Sequence, residues 1–298
     1  MRAVWSFWAK PFNAYYHAMW PSRMHHLFAW VLSVETARVH YSNTTLITDD
    51  EGARLLVDRL GLPFSRVSTV LNDLHDHDPN WWVLGKLYAY RSQTEPFIHI
   101  DNDVFLWKRL PVRLETAPLL AQNPEYCVPG GSSYRPEEFE DALAESGWLP
   151  DEWRWYRSRP RLLRAVCCGI FGGSAVDFIG NYVGLALRIL ESRENRGGLR
   201  RLASPRSHCP LIEQFLLAAC IEYHQYVRAS AHSGLRISYL FADFEDAFDP
   251  VRAREAGYTH LLSGSKRDPA IAARLERRVR QDFPAYYSRI RSVCLPAG

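Results

Sequence analysis

The chain has 298 residues, 47% of them hydrophobic, and a net charge of +3. That is apolar material enough for a large core, while the near-neutral charge excludes a polyanion binder, nucleic acid included. Charge interrupts every apolar run well before ~20 residues, which excludes a transmembrane span.

In chain order, Ala3 to Trp8 reads as a first strand, Met24 to Arg38 as a helix and Thr45 to Thr48 as a second strand. Asp49 or Asp50 is placed to cap a helix from Glu51 to Leu60. Val67 to Leu71 is predicted as a third strand, Trp81 to Gln93 as a helix and Phe97 to Ile100 as a fourth strand. This alternation predicts an α/β chain with a mainly parallel sheet and ligands at the strands' carboxyl ends. Beyond it come an insertion from Gly130 to Arg164 rich in Trp, Pro and charge, and a Gly-Ile-Phe-Gly-Gly strand ending at Gly173. A helix from Ala175 to Glu194, a helix bearing Gln214 and an amphipathic helical tail, Ala270 to Phe283, complete the reading. No linker or repeat divides the chain, so one domain is expected: residues 1–103 as a nucleotide-binding half, 104–270 as an acceptor and sugar half, and 271–298 as a tail.

The stretch Pro96-Phe-Ile-His-Ile-Asp-Asn-Asp103 delivers two carboxylates, Asp101 and Asp103, at a strand's end. If the strand persists through Asn102, residues two apart share a face, and both oxygens reach one hard cation, Mn²⁺ or Mg²⁺ rather than zinc. Far downstream, His260 precedes Gly264 and Lys266. An imidazole can complete such a metal site, and a lysine on a Gly-bearing loop suits a diphosphate leaving group.

At these residues the chain resembles the retaining glycosyltransferases of GT-A fold related to glycogenin and the bacterial lipopolysaccharide galactosyltransferases. Asp101-Asn102-Asp103 resembles that family's metal motif, and His260, Gly264 and Lys266 resemble its C-terminal His-x-x-Gly-x-x-Lys motif with one residue of spacing changed. Lys86 falls where the family carries a basic residue before the metal strand. The Gly169-Ile-Phe-Gly-Gly173 stretch is similar to its Asn-x-Gly-Ile-x-Gly-Gly segment, with Cys167 in place of the asparagine. Glu213-Gln214 resembles its Asp-Gln pair.

The resemblance implies a single GT-A domain with a mixed, mainly parallel central sheet flanked by helices. It implies transfer of a hexose or similar sugar from a nucleotide-diphosphate sugar, a UDP-sugar by expectation, with retention. The metal would sit on Asp101, Asp103 and His260, and Lys266 would oppose the leaving diphosphate. Gln214 would support the oxocarbenium-like sugar, Glu213 would orient its hydroxyls or act as a nucleophile, and Lys86 would reach the phosphates or the sugar. Ser6, Phe7 and Trp8 end the first strand where a nucleotide base would rest, and Asn102, Gly169 and Gly264 complete the donor-binding set. The acceptor is open: a glycan, a lipid, a peptide or a small molecule. A metal-dependent phosphodiesterase or pyrophosphatase and a catalytically silent nucleotide-sugar binder are the competing classes.

Other features read as structural. His75-Asp-His-Asp78 precedes Pro79 and reads as a polar turn, His25-His26 reads as packing or surface exposure rather than ligation, and Trp81-Trp82 reads as core. The Arg-rich stretches read as solvated helix faces, with peripheral membrane association the functional alternative. The opening Met1 to Trp8 is too short and too aromatic for a signal peptide. Six scattered cysteines without a C-x-x-C pair predict reduced thiols in a cytoplasmic setting.

Overall fold

The computed structural model describes residues 1–128, 131, 134–145, 147–227 and 234–295. Its strands are β1 (Arg2–Phe7), β2 (Thr44–Thr48), β3 (Arg66–Ser68), β4 (Phe97–Ile100), β5 (Val104–Leu106), β6 (Leu119–Tyr126), β7 (Arg164–Gly173), β8 (Ile237–Tyr239) and β9 (Tyr258–His260). Seven of them form a mixed, mostly parallel sheet in the order β3-β2-β1-β4-β7-β6-β8, flanked by helices, and β5 and β9 form a separate antiparallel ladder. This is an α/β architecture compatible with a Rossmann-like fold. Among the described residues no helix is long and apolar enough to cross a membrane.

The chain forms two compact units, each assembled from separated segments. One comprises Met1–Pro79, His99–Leu110 and Pro250–Gly298, the other Asn80–Ile98 and Pro111–Asp249. The expected division at residue 103 therefore falls inside the first unit, and the expected tail belongs to that unit too.

In the first unit β1 pairs with β2 and β2 with β3, all in parallel, with Phe7 opposite Thr48. Every residue of β2, Thr-Thr-Leu-Ile-Thr, is buried, as a strand covered on both faces requires. Asp49 ties two segments together: it caps the next helix through the Gly52 amide (2.7 Å) and also accepts from the Ala9 amide at 2.8 Å. The helix Arg23–Arg38 is buried continuously from His26 to Ala37, and the tail helix Pro269–Asp282 starts on an Asp268 cap and continues into Pro284–Cys294.

Two local expectations change. The first strand ends at Phe7, and Trp8 caps a helix, Ala9–Met19, that the sequence reading lacks. Pro11 resembles a breaker, but it sits in the first turn, where its missing amide costs no hydrogen bond. The third strand is shortened to Arg66–Ser68 because Val70–Leu74 winds into a 3₁₀ turn that buries Leu71 and Leu74. The fourth strand has the bounds expected for it, Phe97–Ile100, so the condition that it persist through Asn102 is not met.

In the second unit β6 pairs antiparallel with β7 and parallel with β8. Gly172 and Gly173 are required by close approach: a side chain at Gly172 would run into the Phe97 carbonyl, and one at Gly173 (φ +136°) into that of Pro118. The helices Val83–Arg91 and Val176–Glu191 lie within the spans expected for them. The expected insertion begins at Gly130, outside the described residues, and its described part forms the helices Pro136–Leu143 and Asp151–Arg157. Trp153 of this part packs edge-on against Phe215, ring centroids 4.7 Å apart.

Candidate metal centre

Within the first unit a tight turn, rather than strand alternation, gathers the two carboxylates. β4 ends at Ile100, the Val104 amide donates to the Asp101 carbonyl at 3.0 Å, and β5 begins at once. Antiparallel pairing sets Val104 opposite His260, and the Leu261 amide donates to the Asp103 carbonyl at 3.0 Å. That ladder brings together residues more than 150 positions apart: His260 Nε2 lies 3.5 Å from Asp103 Oδ1, and Lys266 Nζ forms an ion pair with Asp103 Oδ2. One ligand atom each from Asp101, Asp103 and His260 lies within 4.8 Å of the others. Lys266 stands on the 3₁₀ turn Ser263–Arg267, which the Ser265 hydroxyl braces by donating to the Leu262 carbonyl at 2.7 Å.

Burial of Asp103, which is 3% exposed, pushes its carboxyl up, but Lys266 and His260 outweigh burial and hold it well below the usual carboxylate range. It is therefore ionised. Two carboxylates and an imidazole converging within 4.8 Å are a donor set that fits Mn²⁺ or Mg²⁺. In this structure the positive charge facing Asp103 is the Lys266 ammonium.

A layer of side chains lies behind Asp101, and the sequence reading missed it. His99 Nδ1 lies 3.6 Å from Asp101 Oδ1, and its Nε2 is hydrogen-bonded to Ser6 Oγ at 2.9 Å. The Trp5 indole donates to Ser33 Oγ (2.9 Å), which donates to the Asp101 carbonyl (3.0 Å). The available signal for His99 was a single polar residue inside an apolar strand, two positions before Asp101. Ser6, expected at a base edge, thus meets an imidazole here. The Asn102 Nδ2 donor is buried with no hydrogen-bond partner among the described residues, a polar group left for a ligand to satisfy.

Phe7 and Trp8 are both buried. The Phe7 ring packs against Phe12 (5.4 Å), Trp30 (5.5 Å) and His26 (6.1 Å). His26 belongs to this aromatic packing, one of the two readings open for it. Burial first, and then the Lys266 charge, lower its pKa to about 3, so it stays neutral. Gly264 is exposed, and a side chain there would meet nothing within 4 Å; the close approach inferred for this glycine is not demanded by the described residues.

The other expected residues gather in the second unit. Glu213 has no solvent exposure and pairs with Lys86, Nζ to Oε1 2.6 Å. Tyr90 donates to the same oxygen at 2.8 Å, Lys86 also donates to the Cys168 carbonyl at 3.3 Å, and Tyr182 donates to the Glu213 carbonyl at 2.7 Å. Lys86 and Glu213, expected to reach a donor, instead hold each other in a core, because two opposite charges out of water are each other's best partner. Gly169 is buried within β7. Gln214, the residue after Glu213, is half-buried, and its Oε1 shares the Tyr134 hydroxyl with Glu125 Oε2, which lies 2.5 Å from it.

His75-Asp-His-Asp78 keeps the polar-turn reading: the His75 and Asp76 side chains are exposed, and Lys10 Nζ donates to the His75 and His77 carbonyls. Among the described residues, which include all six cysteines, no disulfide forms.

The sequence profile of DUF6734, described as a family of unknown function, matches residues 1–293, and the chain belongs to that family. No curated protein matches the chain.

Proposed function

We propose that the chain is a metal-dependent glycosyltransferase of GT-A type that moves a sugar from a nucleotide-diphosphate donor, a UDP-sugar, to an acceptor with retention. The observation that carries the proposal is the convergence of Asp101, Asp103 and His260 within 4.8 Å, with Lys266 beside them. In this reading those three residues hold Mn²⁺ or Mg²⁺, which when bound neutralises the charge of the donor's diphosphate. His99, held by Ser6, stands beside the Asp101 carboxylate, and Ser33 fixes the backbone of the same turn. Lys266 exchanges its carboxylate partner for the leaving phosphate, and Asn102 offers its unpartnered amide to the donor.

In the second unit the role of Lys86 and Glu213 is positional. Their pair, with Tyr90 and Tyr182, fixes the backbone on which Gln214 stands. Gln214, steadied by Tyr134, is the group proposed to face the sugar with a neutral dipole, so that the leaving phosphate takes the acceptor's proton on the same face. A cytoplasmic location is part of the same proposal.

The test is donor cleavage. The chain is incubated with a panel of UDP-sugars in Mn²⁺ or in EDTA, and products are separated by chromatography. UDP and free sugar formed only with Mn²⁺, diverted to a glycoside when an acceptor is added, support the reading. UMP and sugar phosphate would indicate a pyrophosphatase, and binding without cleavage a silent binder; either result overturns it.

A further inference from the structure

The ladder that carries His260 has a second face. Strand alternation turns Thr259 and Leu261 away from the His260 side, and Phe105, the ladder partner of Thr259, follows them. On that face lies a half-open groove of about 460 Å³, entirely within the first unit. Leu32, Phe105, Leu261, Ile271 and Leu275 give it an apolar lining, and Trp107 stands at it with 39% of its surface exposed. The indole is fixed, since Trp107 Nε1 donates to Thr259 Oγ1 at 3.0 Å. A large aromatic held rigid and left exposed beside an apolar trough is costly in water and serves as a wall for a ligand.

The tail helix supplies the charge. Arg274, Arg277 and Arg278 follow the i, i+3, i+4 spacing of one helix face and all line the groove, whereas no acidic residue lines it. Arg278 bonds Asp282 at 2.5 Å and lies 5.0 Å over the Trp107 ring. Arg274 and Arg277 are exposed and pair with no carboxylate among the described residues. Uncompensated guanidiniums of this kind recognise phosphate and carboxylate.

We infer that this groove binds a single-chain anionic amphiphile, its apolar chain along the Phe105, Trp107 and Leu275 wall and its phosphate or carboxylate head at Arg274 and Arg277. The volume is that of a small-molecule site, and the combination of apolar lining with an all-cationic rim selects neither a free anion nor a neutral chain. The inference stands apart from the reaction proposed above, because none of the proposed metal or donor-binding residues lines the groove.

Dodecyl phosphate, kept below its micelle concentration, is titrated into the full chain by calorimetry, alongside inorganic phosphate, dodecyl maltoside and vesicles of anionic phospholipid. The expected result is saturable one-to-one binding of dodecyl phosphate, with inorganic phosphate and dodecyl maltoside each weaker by about tenfold or more. Arg274→Ser with Arg277→Ser, both on exposed positions, should weaken it by about tenfold or more while the melting temperature stays within about 2 °C. Trp107→Ala should weaken it independently of the arginines. Equal binding of inorganic phosphate or of the maltoside, unchanged affinity in both variants, or binding to vesicles alone would each overturn the inference.

Discussion

Glu213 and Lys86 test whether a carboxylate that the sequence offers to a substrate is instead part of the core. With Glu213 fully buried and its Oε1 2.6 Å from Lys86 Nζ, deleting either partner strands the other. After Glu213→Leu the ammonium loses this carboxylate and keeps the Cys168 carbonyl at 3.3 Å, and after Lys86→Met the carboxylate loses this cation and keeps the Tyr90 hydroxyl at 2.8 Å. Breaking a buried pair in this way costs about 3–5 kcal/mol, whereas replacing both partners by apolar groups of similar volume is close to neutral. At about 2–4 °C per kcal/mol, each single variant should melt roughly 6–20 °C below the parent, and Lys86→Met with Glu213→Leu should recover most of the loss. Thermal and urea unfolding of the four proteins closes the double-mutant cycle. Additive losses, or a Glu213 variant that unfolds like the parent, would refute the structural role and return the carboxylate to the substrate.

The acid limb of stability should divide into two windows, read from urea unfolding between pH 2 and 8 in EDTA. His26, lowered to about 3 from 6.5 chiefly by burial, binds its proton in the unfolded chain first. Stability is whole above about 6.5 and falls as the pH drops toward 3, by about 5 kcal/mol at most, and His26→Phe should flatten that slope. Asp103, also held below its ordinary value by Lys266 and His260, contributes stability that is whole above about 4 and is lost only as the pH falls further, so Asp103→Asn should lower stability above about 4 and flatten the fall below it. Lys266→Met, which removes the cation paired with Asp103, should tighten Mn²⁺ binding by about tenfold while slowing donor cleavage. It should slow UDP-sugars differing only in the sugar by similar factors; weaker Mn²⁺ binding would mean that the lysine helps hold the metal. An α-linked UDP-sugar should give an α-linked product by NMR coupling constant, with Gln214→Ala slowing transfer and no glycosyl adduct appearing on Glu213 by mass spectrometry. A β-linked product or such an adduct counts against same-face transfer.

The sequence carried the elements better than their pairings. β2, β4 and the helices at Val83–Arg91 and Pro269–Asp282 were legible because apolar periodicity and an Asp cap are local signals. The helix Ala9–Met19 was hidden by Pro11, whose position inside the first turn is invisible until the turn is placed. At the candidate site Asp101 and Asp103 were legible from the motif, but the reason given for their convergence was a continuing strand, and the Asp101–Val104 turn replaces it. The link to His260 and Lys266 was suggested by the chemistry of those side chains and by resemblance, while the β5–β9 ladder that makes it joins distant segments with no local mark. The pairing of Lys86 with Glu213 has no local mark either. Each was read alone as a site residue, because nothing local in either helix shows that the other's charge waits beside it in the core.

In the proposed reaction Asp101, Asp103 and His260 hold a divalent cation that a nucleotide diphosphate shares. Electron paramagnetic resonance of free Mn²⁺, titrated with the chain with and without UDP, measures this directly and needs no turnover. The expected result is saturable binding that UDP tightens and that Asp103→Asn and His260→Ala each weaken by on the order of 10²-fold, with both variants still folded. Absence of Mn²⁺ binding in the parent, or binding that neither variant weakens and UDP does not tighten, would contradict it.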